Sequence, residues 1–144
     1  MGRTIYTLGT GTRNRKMFLR LIKNKNIDVV VDVRRFPTSR FEDFKKERLT
    51  QILMKNGIDY FHFGNELGGY RKGGYENYMK TKEFEEGFKK LLSMVSNKNV
   101  CIICAETFPW KCHRRFIAQK LIEHGYEVIH LIDEKRTWQQ DPKK

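Results

Sequence analysis

The sequence predicts a single α/β domain, in which helices cover both faces of one mostly parallel β-sheet. Three observations favour this class. Short apolar runs alternate with stretches of helical apolar spacing, Val29-Val30-Val31 lacks the alternation of a one-sided strand, and 144 residues suit one ordinary domain. We expect a three-layer sandwich of about five mostly parallel strands with right-handed crossovers in residues 1–134, followed by a polar C-terminal tail in residues 135–144.

Each predicted strand is a short run of apolar, β-branched or aromatic residues. The runs cover residues 4–8, 27–33, 58–63, 100–104 and 128–132. Between them, apolar residues recur every three or four positions, which is typical of a helix with one buried face. We assign all four faces to the core: Met17, Phe18, Leu21 and Ile22; Leu49, Ile52 and Leu53; Phe84, Phe88, Leu91, Leu92 and Val95; and Phe116, Ile117, Leu121 and Ile122.

The chain is strongly basic, with a formal net charge of +12 from 29 Lys and Arg against 17 Asp and Glu. The excess is uneven, because residues 1–50 hold 13 of the basic and only 5 of the acidic side chains. Such a balance attracts a polyanion or a phosphorylated substrate, although a Lys-rich solvated surface has the same total charge. We expect a phosphorylated small molecule or a nucleic acid as partner, and the sequence does not predict the oligomeric state.

The cysteines and the apolar runs predict where the protein works. Three cysteines form no spaced disulfide framework, and the first residues begin a strand rather than a signal peptide, so we expect a reducing, cytoplasmic location. No apolar run approaches the roughly 18 residues that span a bilayer, so no membrane association is expected.

No cofactor or metal site is predicted either. The turn Gly9-Thr10-Gly11 lacks the full dinucleotide fingerprint and the P-loop lysine. Cys101 and Cys104 differ in parity along one strand, so their side chains diverge and cannot join Cys112 and His113 around one metal ion.

Side chains capable of chemistry gather where the fourth predicted strand leads into a helix. Parallel sheets bind ligands outside the carboxyl ends of their strands, so an active site is expected there. A nucleophilic cysteine must be a thiolate, which a helix N-terminus and neighbouring His or Arg favour, and both Cys104 and Cys112 qualify. Glu106 could be a general base or a helix cap, and Cys112 and His113 could instead be packing and capping residues. The candidate catalytic residues are Cys104, Glu106, Cys112 and His113, while Cys101 is expected to be inert core.

Candidate anion-binding residues come from other loops at the same edge. Arg34 and Arg40 could grip a phosphate, or could pair with Asp32 and only tie down their loop. Arg71 could close over an anion, and the turn at Gly9 and Gly11 could be an anion cradle or a simple tight turn. Tyr70 and Tyr75 could stack on a base or pack their loop. The full set of candidate ligand-binding residues is Gly9, Gly11, Asp32, Arg34, Ser39, Arg40, Gly69, Arg71 and Arg114.

Four ordered motifs resemble one family over nearly the whole chain. They are Thr4-x-x-x-x-Gly9-x-Gly11, Val31-Asp32-Val33-Arg34-x-x-Pro37-x-Ser39-Arg40, Leu67-Gly68-Gly69 and Cys104-x-Glu106-x-x-Pro109-x-x-Cys112-His113-Arg114. Together they resemble the family described as domain of unknown function 488, for which no reaction is established. The resemblance places the family's recurring residues at Asp32, Arg34, Pro37, Ser39, Arg40, Gly68, Gly69, Cys104, Glu106, Cys112, His113 and Arg114. Members typically have Gly-His-Ser where this chain has Gly9-Thr10-Gly11, which argues against a catalytic role for that turn.

Two partial likenesses suggest other functions. The order of strand, Cys104 and helix, with Val-Asp-Val-Arg upstream, is similar to rhodanese-type sulfurtransferases, although a longer insertion replaces their tight cysteine loop. Cys112-His113-Arg114 also looks like the Pro-Cys-His-Arg centre of alkylguanine DNA alkyltransferases, without their helix-turn-helix. The leading hypothesis is a small α/β protein that binds a phosphorylated ligand and uses cysteine chemistry. The alternatives are a non-catalytic nucleic-acid-binding module and a rhodanese-like sulfurtransferase, so enzymatic activity is left open.

Overall fold

The computed structural model describes residues 4–11, 13–36, 42–69 and 71–140. These residues form one β-sheet with helices in an α/β arrangement. The strands are β1 (Thr4–Gly9), β2 (Val29–Asp32), β3 (Asp59–His62), β4 (Val100–Cys104), β5 (Glu127–Leu131) and β6 (Thr137–Gln139). Their spatial order is β3-β2-β4-β1-β5-β6, and in this described part of the chain only the β5–β6 pair is antiparallel. The predicted class, a mostly parallel sheet with helices, is confirmed.

Within the described residues, six helices connect the strands. They are α1 (Arg15–Asn24), α2 (Lys46–Lys55), α3 (Gly64–Leu67), α4 (Tyr75–Tyr78), α5 (Lys82–Val95) and α6 (Arg114–Glu123). Side-chain caps start two of them, because Asn14 accepts a hydrogen bond from the Met17 amide and Thr81 from the Phe84 amide. Single 3₁₀ turns lie at Glu42–Phe44 and Pro109–Lys111. None of the helices in the described parts of the chain could cross a membrane.

Both faces of the sheet are buried, which explains the unbroken apolar runs of β2 and β4. On one face, Val31, Ile102 and Cys104 share a core with the apolar residues of α5 and α6. On the other face, Val30, Cys101 and Ile103 pack with α1 and α2. Cys101 and Cys104 therefore lie on opposite sides of β4, as their spacing predicts.

The C-terminal segment differs from its prediction. Residues 137–139, which the sequence pattern places in a polar tail, form β6 and pair antiparallel with β5 through Leu131 and Thr137. Trp138 stacks on His130 of β5, with ring centroids 5.3 Å apart. The run is too short and too polar to show strand alternation, and it pairs because β5 offers an unpaired edge.

The strand order determines which loops can meet. β4 lies between β2 and β1, so the segments after these three strands leave the sheet side by side at its carboxyl end. Val33, the Gly9 turn and the loop after Cys104 are brought together in this way. Ser39 and Arg40, two predicted ligand-binding residues, lie outside the described residues.

Candidate functional site

A cleft of about 770 Å³ opens at the carboxyl end of the sheet, where β2 and β4 are neighbours. It brings together residues from three separate segments of the chain. Within the described residues its lining includes four Arg or Lys residues and one acidic residue, Glu106. The lining residues are Arg34, Arg35, Phe36, Gly69, Arg71, Tyr75, Cys104, Ala105, Glu106, Lys111, Cys112 and His113.

Two cysteines lie in contact in this cleft. Cys104 ends β4, and Cys112 follows the Pro109–Lys111 turn in an extended conformation. Their Sγ atoms are 2.8 Å apart. Cys104 is 1 % exposed and Cys112 is 8 % exposed, so both sulfurs are largely shielded from water but line the cleft.

Arg114, the first residue of α6, is fully buried and directed at Cys104. Its Nη1 donates to Cys104 Sγ at 2.8 Å and to the Glu106 carbonyl at 2.8 Å, and its Nη2 donates to the Thr107 carbonyl at 3.1 Å. Over residues 4–11, 13–36, 42–69 and 71–140, no carboxylate pairs with it, and its buried Nε has no hydrogen-bond partner. A buried cation requires a counter-charge, and a Cys104 thiolate is the group positioned to supply it.

The electrostatics of the pair favour one thiolate and one thiol. Burial alone would raise the pKa of Cys104, but the hydrogen bond from Cys112 and the charge of Arg114 outweigh it and lower the pKa to about 7. The same hydrogen bond, together with burial, raises the pKa of Cys112 well above its ordinary value. The pair therefore loses one proton near neutrality and retains the other between the sulfurs. Burial raises the pKa of Cys101 to about 12, so that thiol stays protonated.

His113 connects the cysteine pair to β2. Its Nε2 lies 3.1 Å from the Val33 carbonyl oxygen, which can only accept, so Nε2 carries the hydrogen. Burial lowers the pKa of His113 to about 4, so the ring is neutral and its Nδ1 is an acceptor 3.6 Å from Cys112 Sγ. A Cβ at Gly69 would lie 2.9 Å from this Nδ1, so glycine allows the loop to close over the ring.

Arg34 and Asp32 form a buried ion pair. The Arg34 Nε lies 2.9 Å from Asp32 Oδ1 and its Nη2 lies 2.8 Å from Oδ2, while its Nη1 donates to the Phe44 carbonyl at 2.7 Å. Tyr60 also donates to Asp32, at 2.6 Å. Arg34 lines the cleft together with Cys104 and Glu106, but its guanidinium is engaged in holding β2 to its neighbours.

The turn at Gly9 packs against the loop that follows Cys104. The amides of Thr10 and Gly11 donate to the carbonyls of Cys104 and Ala105, both at 2.8 Å, so these two donors are occupied. A Cβ at Gly9 would overlap the Glu106 carbonyl. The turn thus has the geometry of a tight packing turn, and its glycines permit the close approach of the loop after β4.

Arg71 and Lys111 both line the cleft. The Arg71 guanidinium lies 3.8 Å from the centroid of the Tyr78 ring, and its Nε donates to the Gly68 carbonyl at 2.8 Å. Lys111 is exposed, and the sequence motifs did not single it out, although its position directly before Cys112 was a usable signal. Tyr75 packs its loop, since its hydroxyl donates to the Leu67 carbonyl and its ring stacks on Phe116.

The described residues contain no group of three or more His, Cys, Asp or Glu side chains arranged to hold a metal ion. Glu106 lines the cleft, and its carboxylate makes no hydrogen bond or ion pair with the described residues. The backbone carbonyl of Glu106, by contrast, anchors Arg114.

The fold and the site together describe an α/β protein with one mostly parallel sheet and two contacting cysteines beside a cleft lined by basic residues. The family model described as Domain of unknown function DUF488 matches residues 14–121, and the chain belongs to this family. The match includes Asp32, Arg34 and the whole segment from Cys104 to Arg114. A search of curated proteins found no match to this chain.

Proposed function

We propose that the protein is a cysteine-dependent enzyme that binds a small phosphorylated ligand in the cleft at the carboxyl end of the sheet. The observation that carries this proposal is the fully buried Arg114, which bonds to Cys104 Sγ and has no carboxylate partner in the described parts of the chain. A charge-assisted hydrogen bond of this kind stabilises a thiolate, the nucleophilic form of cysteine.

The charge of the cleft supports an anionic ligand. Among the described lining residues, Arg35, Arg71 and Lys111 outnumber the one acidic residue, Glu106. Guanidinium and ammonium groups around a partly enclosed space attract phosphate oxygens, and the net charge of +12 adds long-range attraction.

Each residue of the site has a separate role in this proposal. Cys104 is the nucleophile, and Arg114 is a positioning residue that keeps it ionised. Cys112 donates a hydrogen bond to Cys104, and neutral His113 positions Cys112 through the contact between its Nδ1 and Cys112 Sγ. Glu106, which lines the same cleft, is the candidate general acid or base.

Binding can be tested with inorganic phosphate and a nucleoside monophosphate by isothermal titration calorimetry. Lys111→Ala should weaken binding about fivefold, because one exposed ionic contact contributes ~1 kcal/mol. Lys98→Ala is the matched control, since Lys98 is an exposed lysine just before β4, at the opposite end of that strand. Equal affinities of wild type and Lys111→Ala, or no binding at millimolar phosphate, would contradict a phosphate site in the cleft.

Reactivity can be tested in the same protein with two alkylating reagents of different charge. Anionic iodoacetate should modify Cys104 faster, relative to neutral iodoacetamide, than it modifies a free cysteine in solution, because the cleft is cationic. The Lys111→Ala variant should reduce this ratio, and Lys98→Ala should not. A ratio equal to that of free cysteine would remove the support for an electropositive site.

A sulfurtransferase is the second candidate function. It is favoured by the position of Cys104 at the end of a central parallel strand, followed by a loop and a helix whose first residue holds the sulfur. In this mechanism the thiolate attacks the outer sulfur of thiosulfate, forms an enzyme persulfide and releases sulfite. Formation of a Cys104 persulfide with thiosulfate, detected by mass spectrometry, would favour this candidate over phosphate-ligand chemistry.

A nucleic-acid-binding module is the alternative without catalysis. Trp110 is 45 % exposed and stacks on Phe108, over which Lys111 Nζ lies 5.9 Å from the ring centroid. Such an aromatic and cationic surface can stack bases, and α1 adds exposed Arg15 and Lys16. Binding of single-stranded DNA or RNA with a steep salt dependence, weakened in Trp110→Ala, would support the module. Absence of binding at low salt would remove it.

A further inference from the structure

The cysteine pair has the geometry of a dithiol that can close on itself. The Sγ atoms of Cys104 and Cys112 are 2.8 Å apart, and a disulfide needs about 2.05 Å, so closure requires a movement of less than ~1 Å. The seven residues between them form an irregular loop and one 3₁₀ turn rather than a long helix. Cys112 is in an extended conformation outside α6, so the sulfurs can approach without unwinding that helix.

We propose that Cys104 and Cys112 form a reversible disulfide by exchange with an anionic low-molecular-weight disulfide of the glutathione type. The inference uses the Cys104 thiolate of the proposed function but does not require the phosphorylated ligand. The modification would convert the reactive thiolate into an unreactive sulfur, so the site would be sensitive to the thiol–disulfide balance around it.

The exchange takes two balanced steps. First, the Cys104 thiolate attacks one sulfur of the small disulfide; a new S–S bond forms, the old one breaks, and one thiolate leaves. Second, Cys112 attacks Cys104 Sγ, forms the Cys104–Cys112 bond and expels the second small thiolate. Two protein thiols are oxidised, and one small disulfide is reduced to two thiols.

The site can manage the proton of the second step. Cys112 must lose its proton before it attacks, and the small thiolate released in the first step can accept that proton. The neutral Nδ1 of His113 lies 3.6 Å from Cys112 Sγ and orients the thiol as a hydrogen-bond acceptor. The Nε2–H of His113 donates a hydrogen bond to the Val33 carbonyl, and this contact keeps Nδ1 directed at Cys112 Sγ.

The charge of the cleft favours an anionic disulfide over a neutral or cationic one. Oxidised glutathione carries a net negative charge, and the approach to the sulfurs is lined by Arg35, Arg71 and Lys111. Cys101 cannot compete for the oxidant, because it lies on the opposite face of β4 and, unlike Cys104 and Cys112, does not line the cleft.

The test exposes the reduced full-length protein to oxidised glutathione at neutral pH and maps the products by non-reducing peptide mass spectrometry. We expect the intact protein to become lighter by two hydrogen atoms, with a single peptide pair joined through Cys104 and Cys112. Dithiothreitol should restore the thiols. Exchange with cystamine, a cationic disulfide, should be at least about threefold slower, because the cleft is cationic.

Two variants separate the steps. Cys112→Ser should stop after the first step and accumulate a stable glutathione adduct on Cys104. Cys104→Ser should slow adduct formation at least about tenfold, because the remaining cleft cysteine lacks the guanidinium contact. Cys101→Ala is the control, and it should still form the Cys104–Cys112 disulfide.

The wild-type result decides the inference without any variant. A native protein that keeps three free thiols, reacts only when denatured, retains an unresolved adduct or forms its disulfide through Cys101 overturns the proposal. The outcomes also separate the two proposals. Disulfide formation without phosphate binding would remove only the phosphorylated ligand. Alkylation of Cys104 at neutral pH without disulfide formation would remove only the present inference.

Discussion

Replacing Arg114 by glutamine should raise the pH at which Cys104 becomes reactive. Arg114 Nη1 lies 2.8 Å from Cys104 Sγ, and a hydrogen bond to a charged group contributes about 1.5–3 kcal/mol, equivalent to roughly 1–2 pKa units. The pKa of Cys104, about 7 in the native protein, should therefore rise to about 8–9. At pH 7.5 the thiolate fraction would fall about 3- to 25-fold.

The assay is iodoacetamide alkylation between about pH 5.5 and 10, with each cysteine quantified by peptide mass spectrometry. The midpoint of the rate profile is the quantity to compare, because a more basic thiolate is also intrinsically more nucleophilic and partly offsets the loss of ionised sulfur. Cys101 provides an internal reference, since burial raises its pKa to about 12 and it should stay unlabelled in folded protein.

Two controls protect this experiment from trivial failure. Arg114→Gln replaces the guanidinium by a shorter amide and so weakens the hydrogen bonds to the Glu106 and Thr107 carbonyls. Urea unfolding must therefore first show that the variant is folded. Arg114→Lys keeps the positive charge and should keep the midpoint below about 8.5, the ordinary thiol value. A folded Arg114→Gln protein with an unchanged midpoint would refute the argument that this guanidinium ionises Cys104.

Three further predictions concern the frame around the site. Asp32→Asn should lower the free energy of unfolding, measured by urea titration, by about 3–5 kcal/mol, because it leaves the buried Arg34 guanidinium without its carboxylate. Glu134→Gln removes an exposed ion pair and should change the same free energy little. Gly9→Ala should lower the free energy of unfolding by about 1–3 kcal/mol and slow Cys104 alkylation, because the added Cβ would overlap the Glu106 carbonyl and displace the loop after Cys104. Unchanged thermal unfolding and unchanged labelling would contradict this prediction. Burial lowers the pKa of His130 to about 4, so the contribution of this neutral ring to stability is complete above about pH 6.5 and is lost as pH falls toward 4. His130→Gln should therefore flatten the acid dependence of the free energy of unfolding measured from about pH 7 to 4.

The sequence alone predicted the architecture because its signals are local. Unbroken apolar runs indicate strands covered on both faces, and three- and four-residue spacing indicates the helix faces that fill the two cores. The two-residue period of a strand likewise places Cys101 and Cys104 on opposite faces of β4 from their spacing alone. β6 escaped prediction because a three-residue polar strand carries no such period and depends on the free edge of β5.

Strand order and hydrogen-bond partners could not be read from local periods. The sequence leaves open whether Cys104 or Cys112 is the better thiolate, and in sequence Arg114 is closer to Cys112. In the folded protein the Arg114 side chain bonds to Cys104 instead, because the start of α6 lies beside the end of β4. Similarly, the Arg34 guanidinium is engaged by Asp32 and a carbonyl contributed by Phe44, ten residues along the chain.

The sequence by itself determined the α/β class, the opposed faces of the β4 cysteines and the gathering of reactive side chains after that strand. Only the tertiary structure decided which charges meet. β4 packs between β2 and β1, so three distant segments converge, and the short contacts among Cys104, Cys112 and Arg114 depend on that convergence. The energy of an ion pair or a hydrogen bond depends on distances of a few ångströms and on burial, and neither is encoded in the spacing of residues along the chain.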